Sequence, residues 1–336
     1  MSRFFALTAV AVLFVAMFVI SPVQAGPVML RYANFPPAST FPCVQMERWK
    51  QEVETRTAGQ VQVQTYPGGT LLGAKNMLRG VMKGQADMGC LCMSYQPGVF
   101  PLTTVTELPV GFSSSTVASQ VLWDLYQLYT PKEFAKVKVL AMFTSAPTNI
   151  MSRVPVRTPQ DLEGLELRAS GMASSVLDRL GATPVSMPMP ETPEALQKGL
   201  VKGLLSSLEV MKDMNFAEYC PYVTRTDFQV YPFAVVMNMR TWNSLSPAVQ
   251  KTMDDLAREQ SVWTGTYMDA HVLDSLAWSK KTYGLTTFEL DDVQKAAMQE
   301  KVMPLLEEWK GKAKDKGIDG EAVLTDLYRL KKVYQK

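Results

Sequence analysis

A protein with one histidine and four cysteines has few routes to covalent chemistry. His271 falls in Tyr267 to Trp278, a segment that reads as a helix, and a Ser–His or Cys–His hydrolase would have to be built on it. A packed or solvated helical imidazole explains it as well. The thiols are Cys43, Cys90, Cys92 and Cys220. Cys90-Leu91-Cys92 sets two sulfurs on one strand face, but no further soft ligands lie nearby, so no metal is expected. Asp254-Asp255 and Asp291-Asp292 stand on helix surfaces or starts, where they complement the helix dipole. Gly68-Gly69 and Gly73 precede a helix without completing a phosphate-cradling or dinucleotide-binding pattern. No cofactor is implied, and this inventory suits binding rather than turnover.

The elements that would position these groups alternate between strand and helix, the pattern of an α/β protein. Val28–Tyr32, Val61–Tyr66, Met88–Cys92 and Val137–Phe143 read as strands of a first unit. Helices over Cys43–Thr57 and about Ala74–Lys83 lie between them, and Thr130-Pro131-Lys132-Glu133 reads as a capping box opening another. After about residue 146 a second unit begins, with strands at Leu165–Ala169 and Thr183–Met187 and helices at Ala173–Leu180 and Glu191–Lys198. The apolar run Pro232–Asn238 could return the backbone to the first sheet. Ser246-Pro247 starts a long helix with Val249, Met253 and Leu256 on one face, and two apolar-striped helices end the sequence.

A length of 336 residues is enough to bury two medium cores, and the net charge of +2 carries no basic stripe for nucleic acid. The 21 methionines suit an adaptable core or a Met-lined cleft. At the N-terminus Arg3 precedes the uncharged run Phe4–Ile20, Ser21-Pro22 breaks it, and Val23-Gln24-Ala25 supplies a small-x-small site. A signal peptide over 1–25, cleaved after Ala25 to release the mature protein outside the cytoplasmic membrane, is expected; an uncleaved anchor is the alternative. Cys43 opens the first helix and Cys92 ends a strand of the same sheet, both at the crevice edge of an open sheet. A Cys43–Cys92 disulfide, with Cys90 as alternate partner, is therefore expected.

Several short motifs occur in a fixed order. They are Tyr66-Pro67 with Leu71-Leu72-Gly73, then Gly84-Gln85-Ala86-Asp87-Met88, then Asp161 to Arg168 followed by Gly181-Ala182-Thr183-Pro184-Val185. Glu191 with Ala195 to Gly203 follows, and Val236-Met237-Asn238 with Trp242, Leu245-Ser246-Pro247 and Val249-Gln250 completes the series. Over nearly the whole mature sequence this series resembles the substrate-binding proteins of tripartite ATP-independent periplasmic (TRAP) transporters, the DctP family. The resemblance implies an α/β, two-domain periplasmic-binding-protein-like (type II) fold, with hinge strands and a long bridging helix, closing on a ligand. It sets the first domain at 26–145 plus 232–270 and the second at 146–231 plus 271–336. It further implies a small-molecule carboxylate ligand, membrane transporter subunits as partners and no enzyme activity.

The same resemblance implies that Arg168, at a strand end, grips the carboxylate, and a guanidinium fork does match a carboxylate in bidentate fashion. Other contact positions diverge. Lys202 replaces a family Asp, Ser206 falls near an Asn, and Gly171 is third after Arg168. Cys92 stands where sialic-acid-binding relatives carry an acidic contact, and Met189 stands near their aromatic. A second arginine of some members aligns near Thr148, beside Asn149. Phe35, Phe41, Met93 and Met189 fall where relatives build the pocket. A monocarboxylate with an apolar or aromatic body is thus expected over sialic acid or a dicarboxylate. A binding protein of an ATP-driven importer, a ligand-sensing module of a receptor and a secreted hydrolase are the rival readings.

Overall fold

In the computed structural model, residues 26–335 are described, and the expected signal peptide with its cleavage after Ala25 lies outside the described residues. Val28–Ala33 (β1) pairs in parallel with Val61–Tyr66 (β2) and with Met88–Cys92 (β3). β2 buries Val61 and Val63 and exposes Gln62 and Gln64, whereas β3 is buried along its whole length, as a central strand must be. Val137–Thr144 (β4) closes the far edge. Around this sheet pack α1 (Phe41–Arg56), which buries Met46, Trp49 and Val53, then α2 (Met77–Met82) and α3 (Ser115–Tyr129). Thr130 does not open a helix as its sequence suggests. It ends α3 in the left-handed region at φ 42°, and only a single tight turn, Lys132–Phe134, follows.

The backbone then crosses to a second sheet of β5 (Asn149–Ser152), β6 (Glu166–Ala169), β7 (Thr183–Ser186), β8 (Gly203–Ser206) and β9 (Tyr222–Arg225), interleaved with α4 (Met172–Arg179), α5 (Thr192–Gln197) and α6 (Val210–Asp213). It returns through β10 (Pro232–Asn238), which inserts antiparallel between β3 and β4. The first sheet therefore runs β2-β1-β3-β10-β4. The outgoing and returning segments lie side by side: Ser145 N donates to Tyr231 O at 2.9 Å and Thr148 N to Gln229 O at 2.8 Å. Two irregular segments side by side, outside either sheet, are where the backbone crosses between the lobes and where a hinge would act.

After α7 (Met239–Ser244) comes α8 (Pro247–Tyr283), a single helix capped by Ser246 and ended by Gly284 at φ 68°. Its 37 residues reach about 55 Å at 1.5 Å per residue, enough to brace both lobes. Near its start Val249, Met253 and Leu256 are buried; near its end the Ser275 hydroxyl donates to Leu208 O and Glu209 O of the second lobe. β11 (Thr286–Glu289) then joins the second sheet, in the order β11-β9-β5-β8-β6-β7. The last helices are α9 (Asp292–Val302), α10 (Pro304–Lys314) and α11 (Gly320–Tyr334). Residues beyond 304 were expected with the second lobe but pack on the first. Their stripe of Leu306, Trp309, Val323 and Leu327 meets Val117, Val121 and Leu125 of α3, and Trp309 Nε1 donates to Pro101 O at 3.1 Å.

Candidate functional site

Between the two sheets lies a cavity to which both lobes contribute. The first lobe supplies an aromatic wall. Phe35 follows β1, Phe41 starts α1, Tyr95 follows β3 and Phe233 sits in β10. Phe35 and Phe233 stack with centroids 6.4 Å apart, Phe41 meets Phe233 edge-on at 5.2 Å, and Tyr95 meets Phe35 edge-on at 5.5 Å. Such offset and edge-on arrangements are the favoured ones for aromatic rings. Ser145 and Tyr231, from the hinge, form the back of the cavity.

The second lobe supplies the charge. Arg168 stands on β6 with no exposed surface, although a guanidinium is rarely buried without a carboxylate beside it. Nε and Nη2 both donate to Met187 O, at 2.9 and 2.7 Å, and Nη2 also reaches Tyr95 Oη and Ser170 Oγ at 3.3 Å. Its guanidinium carbon lies 6.0 Å from the centre of the Tyr231 ring. Nη1 is buried without a partner. A buried cationic donor left open on a cavity is the atom an anionic ligand would satisfy.

The cavity unites five of the residues expected there, Phe35, Phe41, Arg168, Met189 and Ser206. Cys92, Met93, Thr148, Asn149 and Gly171 are not on its lining. Cys92 is buried in β3, and Met93 turns inward, where its sulfur accepts from Thr103 Oγ1 at 3.2 Å. Thr148 and Asn149 belong to the hinge: Asn149 Nδ2 donates to Asp227 Oδ1 at 3.0 Å and Oδ1 accepts from Thr226 N at 2.8 Å. Gly171 adopts φ 56° and ψ −138°, open only to glycine, so that the backbone can turn under Glu107. The expected Cys43–Cys92 disulfide is not made. All four cysteines are free and buried, and the Cys43 thiol donates to Pro36 O at 3.3 Å. Burial pushes both Cys43 and Cys92 up to about 12, which leaves them protonated and inert.

Sequence reasoning passed over the acidic side of the cavity, where Ser207, Glu209 and Asp213 follow β8. Glu209 is 3% exposed and raised to about 7, chiefly by burial, with the charge of Asp213 adding to it. Asp213 Oδ1 is held by His271 Nε2 at 2.8 Å, and that bond raises the imidazole above its ordinary value. Acidic residues beside a four-residue helix look solvated in a sequence; the one available signal was their place just past a strand end of the second sheet. Among the described residues no group of three or more His, Cys, Asp or Glu side chains is placed to hold a metal.

A family model described as bacterial extracellular solute-binding protein, family 7 (DctP), matches residues 32–312. A solved TRAP periplasmic solute-binding protein from Desulfovibrio salexigens is 63% identical, covering 92% of this chain and 97% of its own, with a TM-score of 0.83; it is an open complex with the C-terminus of a symmetry mate in its ligand-binding site. A marine metagenome TRAP solute-binding protein specific for aromatic acid ligands, solved with metahydroxyphenylacetate, is 27% identical over 92% of this chain and 100% of its own, with a TM-score of 0.88. The C4-dicarboxylate-binding periplasmic protein DctP of Rhodobacter capsulatus is 24% identical over 85% of this chain and 88% of its own.

Proposed function

The chain belongs to the DctP family of bacterial extracellular solute-binding proteins, and from that premise we propose that its cleft captures a small monocarboxylate with an apolar or aromatic body, held through Arg168, for membrane subunits of a TRAP transporter. It is a periplasmic TRAP solute-binding protein and not an enzyme. The single observation that carries the ligand reading is the fully buried Arg168, whose Nη1 has no partner, on a cavity walled by Phe35, Phe41, Phe233 and Tyr95. One guanidinium beside an aromatic wall suits one carboxylate on an apolar body. A dicarboxylate would have to set its second charge against aromatic rings or beside Glu209 and Asp213.

Relatives support the acid class in both directions. The 63% identical protein takes the C-terminus of a symmetry mate into its site, and such a terminus ends in a carboxylate. The 27% identical one is specific for aromatic acids. A relative from Rhodobacter capsulatus binds C4-dicarboxylates, so the family alone does not choose. The test is a thermal-shift screen followed by calorimetry with benzoate, phenylacetate, mandelate, succinate, malate and N-acetylneuraminate, since a ligand that binds only the folded state raises the melting temperature. An aromatic monocarboxylate should bind tightest. Tighter binding of succinate, malate or N-acetylneuraminate than of every monocarboxylate would overturn the reading.

A further inference from the structure

Three charged-group atoms of residues that line the cavity are buried without a hydrogen-bond partner: Arg168 Nη1, Glu209 Oε2 and Asp213 Oδ2. A ligand carboxylate answers the first and, while they are ionised, neither of the other two. The two carboxylate oxygens make an accepting pole, and their side chains are nearly as buried as Arg168: Glu209 is 3% exposed and the Asp213 side chain 4%. Buried acceptors without donors are costly, and native sites keep them only where something else completes them.

The pole is also held in place. His271 Nε2 fixes Asp213 Oδ1 at 2.8 Å, which leaves Oδ2 as the open acceptor. His271 itself stacks on Tyr267 with centroids 5.3 Å apart, and α8 carries both. Asp213 O accepts from Ser39 Oγ of the first lobe at 3.3 Å. A solvated acidic pair would not be braced from two lobes and a 37-residue helix.

We infer that Glu209 and Asp213 form a second recognition pole, and that the physiological ligand carries, besides its carboxylate, a hydroxyl or amino hydrogen-bond donor that this pole accepts. The inference rests on the carboxylate reading of Arg168. It narrows the ligand from aromatic or apolar acids in general to those bearing a second, donating group. A site built to accept from a donor rejects the analogue lacking it far more strongly than an apolar pocket rejects a missing methylene.

The probes are benzoate, 3- and 4-hydroxybenzoate, 3-aminobenzoate, 3-methoxybenzoate, phenylacetate and 3-hydroxyphenylacetate, titrated by calorimetry into the full mature protein. At least one donor-bearing acid should bind tenfold or more tighter than its parent, and the methoxy compound, which cannot donate, should gain nothing. The hydroxy and amino arms identify the donor. In Glu209→Met, which replaces a buried carboxyl by an apolar side chain of similar reach, the ratio of the donor-bearing acid's affinity to that of its parent should fall to threefold or less. If Glu209→Met does not fold, Glu209→Gln and Asp213→Asn serve, and the preference must fall in at least one of them. Equal affinity of parents and donor-bearing acids in the wild type would overturn the second pole and leave the Arg168 reading standing, as would a preference that survives every variant. Failure of all the acids to bind would overturn the carboxylate reading, and the second pole with it.

Discussion

Replacing Arg168 tests the site most directly, and the structure sets the size of the effect. Arg168→Ala removes two bonds to Met187 O, one to Tyr95 Oη and one to Ser170 Oγ. Met187 O loses both of those donors, while Tyr95 Oη keeps the one from Met189 N at 3.1 Å. An orphaned buried carbonyl costs roughly 1–3 kcal/mol, so the free protein should melt measurably lower, contrary to what a surface arginine would do. The ligand loses more. A carboxylate left in the closed cavity without its cation costs about 2–5 kcal/mol, or from about 30-fold to several thousand-fold in affinity. Arg168→Lys should recover only part of this, because an ammonium cannot bond Met187 O twice and still present a free N–H to the ligand. Arg168→Met fills much of the space and separates charge from packing. The assay is calorimetry with benzoate against its neutral isostere benzamide, with circular dichroism melts to confirm folding. Wild type should prefer benzoate by about 30-fold or more, and Arg168→Met should show almost no preference. A folded Arg168→Ala that binds benzoate within threefold of wild type would remove Arg168 from the site.

Other outcomes follow from particular residues. Glu107 and Glu209 are raised from 4.5 to about 7, chiefly by burial, so between those values the folded protein holds more protons than the unfolded one. Their contribution is full below about pH 4.5 and lost as pH rises through 7, by up to about 3 kcal/mol per group; the unliganded wild type should lose melting temperature relative to Glu209→Gln between pH 5.5 and 8, and a constant gap would refute this. Gly171→Ala should lower both melting temperature and benzoate affinity, since its Cβ would stand 2.4 Å from Glu107 Oε2 at a φ of 56°; unchanged calorimetry would show that the lobes do not need this contact. Thiol labelling without reductant should find four free cysteines in the denatured protein and almost none accessible in the native one, and fewer than four would reinstate a disulfide. Mass spectrometry of protein secreted from its native host should find Gly26 as the first residue, and an intact N-terminus in the membrane fraction would contradict cleavage after Ala25.

Strands were the most legible part of the fold, because alternation in Val61–Tyr66 and unbroken apolar character in Met88–Cys92 and Pro232–Asn238 each have one physical reading. The long helix was legible only at its ends. Its middle buries Gln260, Ser261, Thr264 and Gly265, which make no apolar stripe. Those residues are small or polar because α3 comes close: a Cβ on Gly265 would lie 2.6 Å from Thr116 Cα. The site divides in the same way. Arg168 was legible only through the family resemblance, because an isolated arginine at a strand end reads as an ordinary surface residue. Thr148 and Asn149 do not line the cavity, because sequence neighbours of a cleft can instead bond the crossing backbone, as Asn149 does with Thr226 and Asp227.

The two lobes are bridged at side chains that line or flank the cavity. Tyr95, on the first lobe, accepts from Arg168 Nη2 and Met189 N on the second, so the guanidinium that faces the cavity also holds the opposite wall. Glu107 works in parallel from the loop region before α3. Its Oε1 accepts from Ser94 Oγ, and its Oε2 accepts from Met172 N at the start of α4, both at 2.9 Å. An exposed pair, Lys75 with Glu191 at 3.2 Å, also crosses the cleft, but solvent screening leaves it little weight. A ligand can favour closure only by binding the closed form more tightly than the open one. A carboxylate on Nη1 would do so, because it contacts a guanidinium plane that Met187 and Tyr95 orient together only when the lobes meet. Neutral ligands of the same shape would fill the aromatic wall in either form and shift the equilibrium far less. On the proposed reading, selectivity for anions and closure would have one origin, the burial of the Arg168 cation whose Nη1 has no partner within the protein.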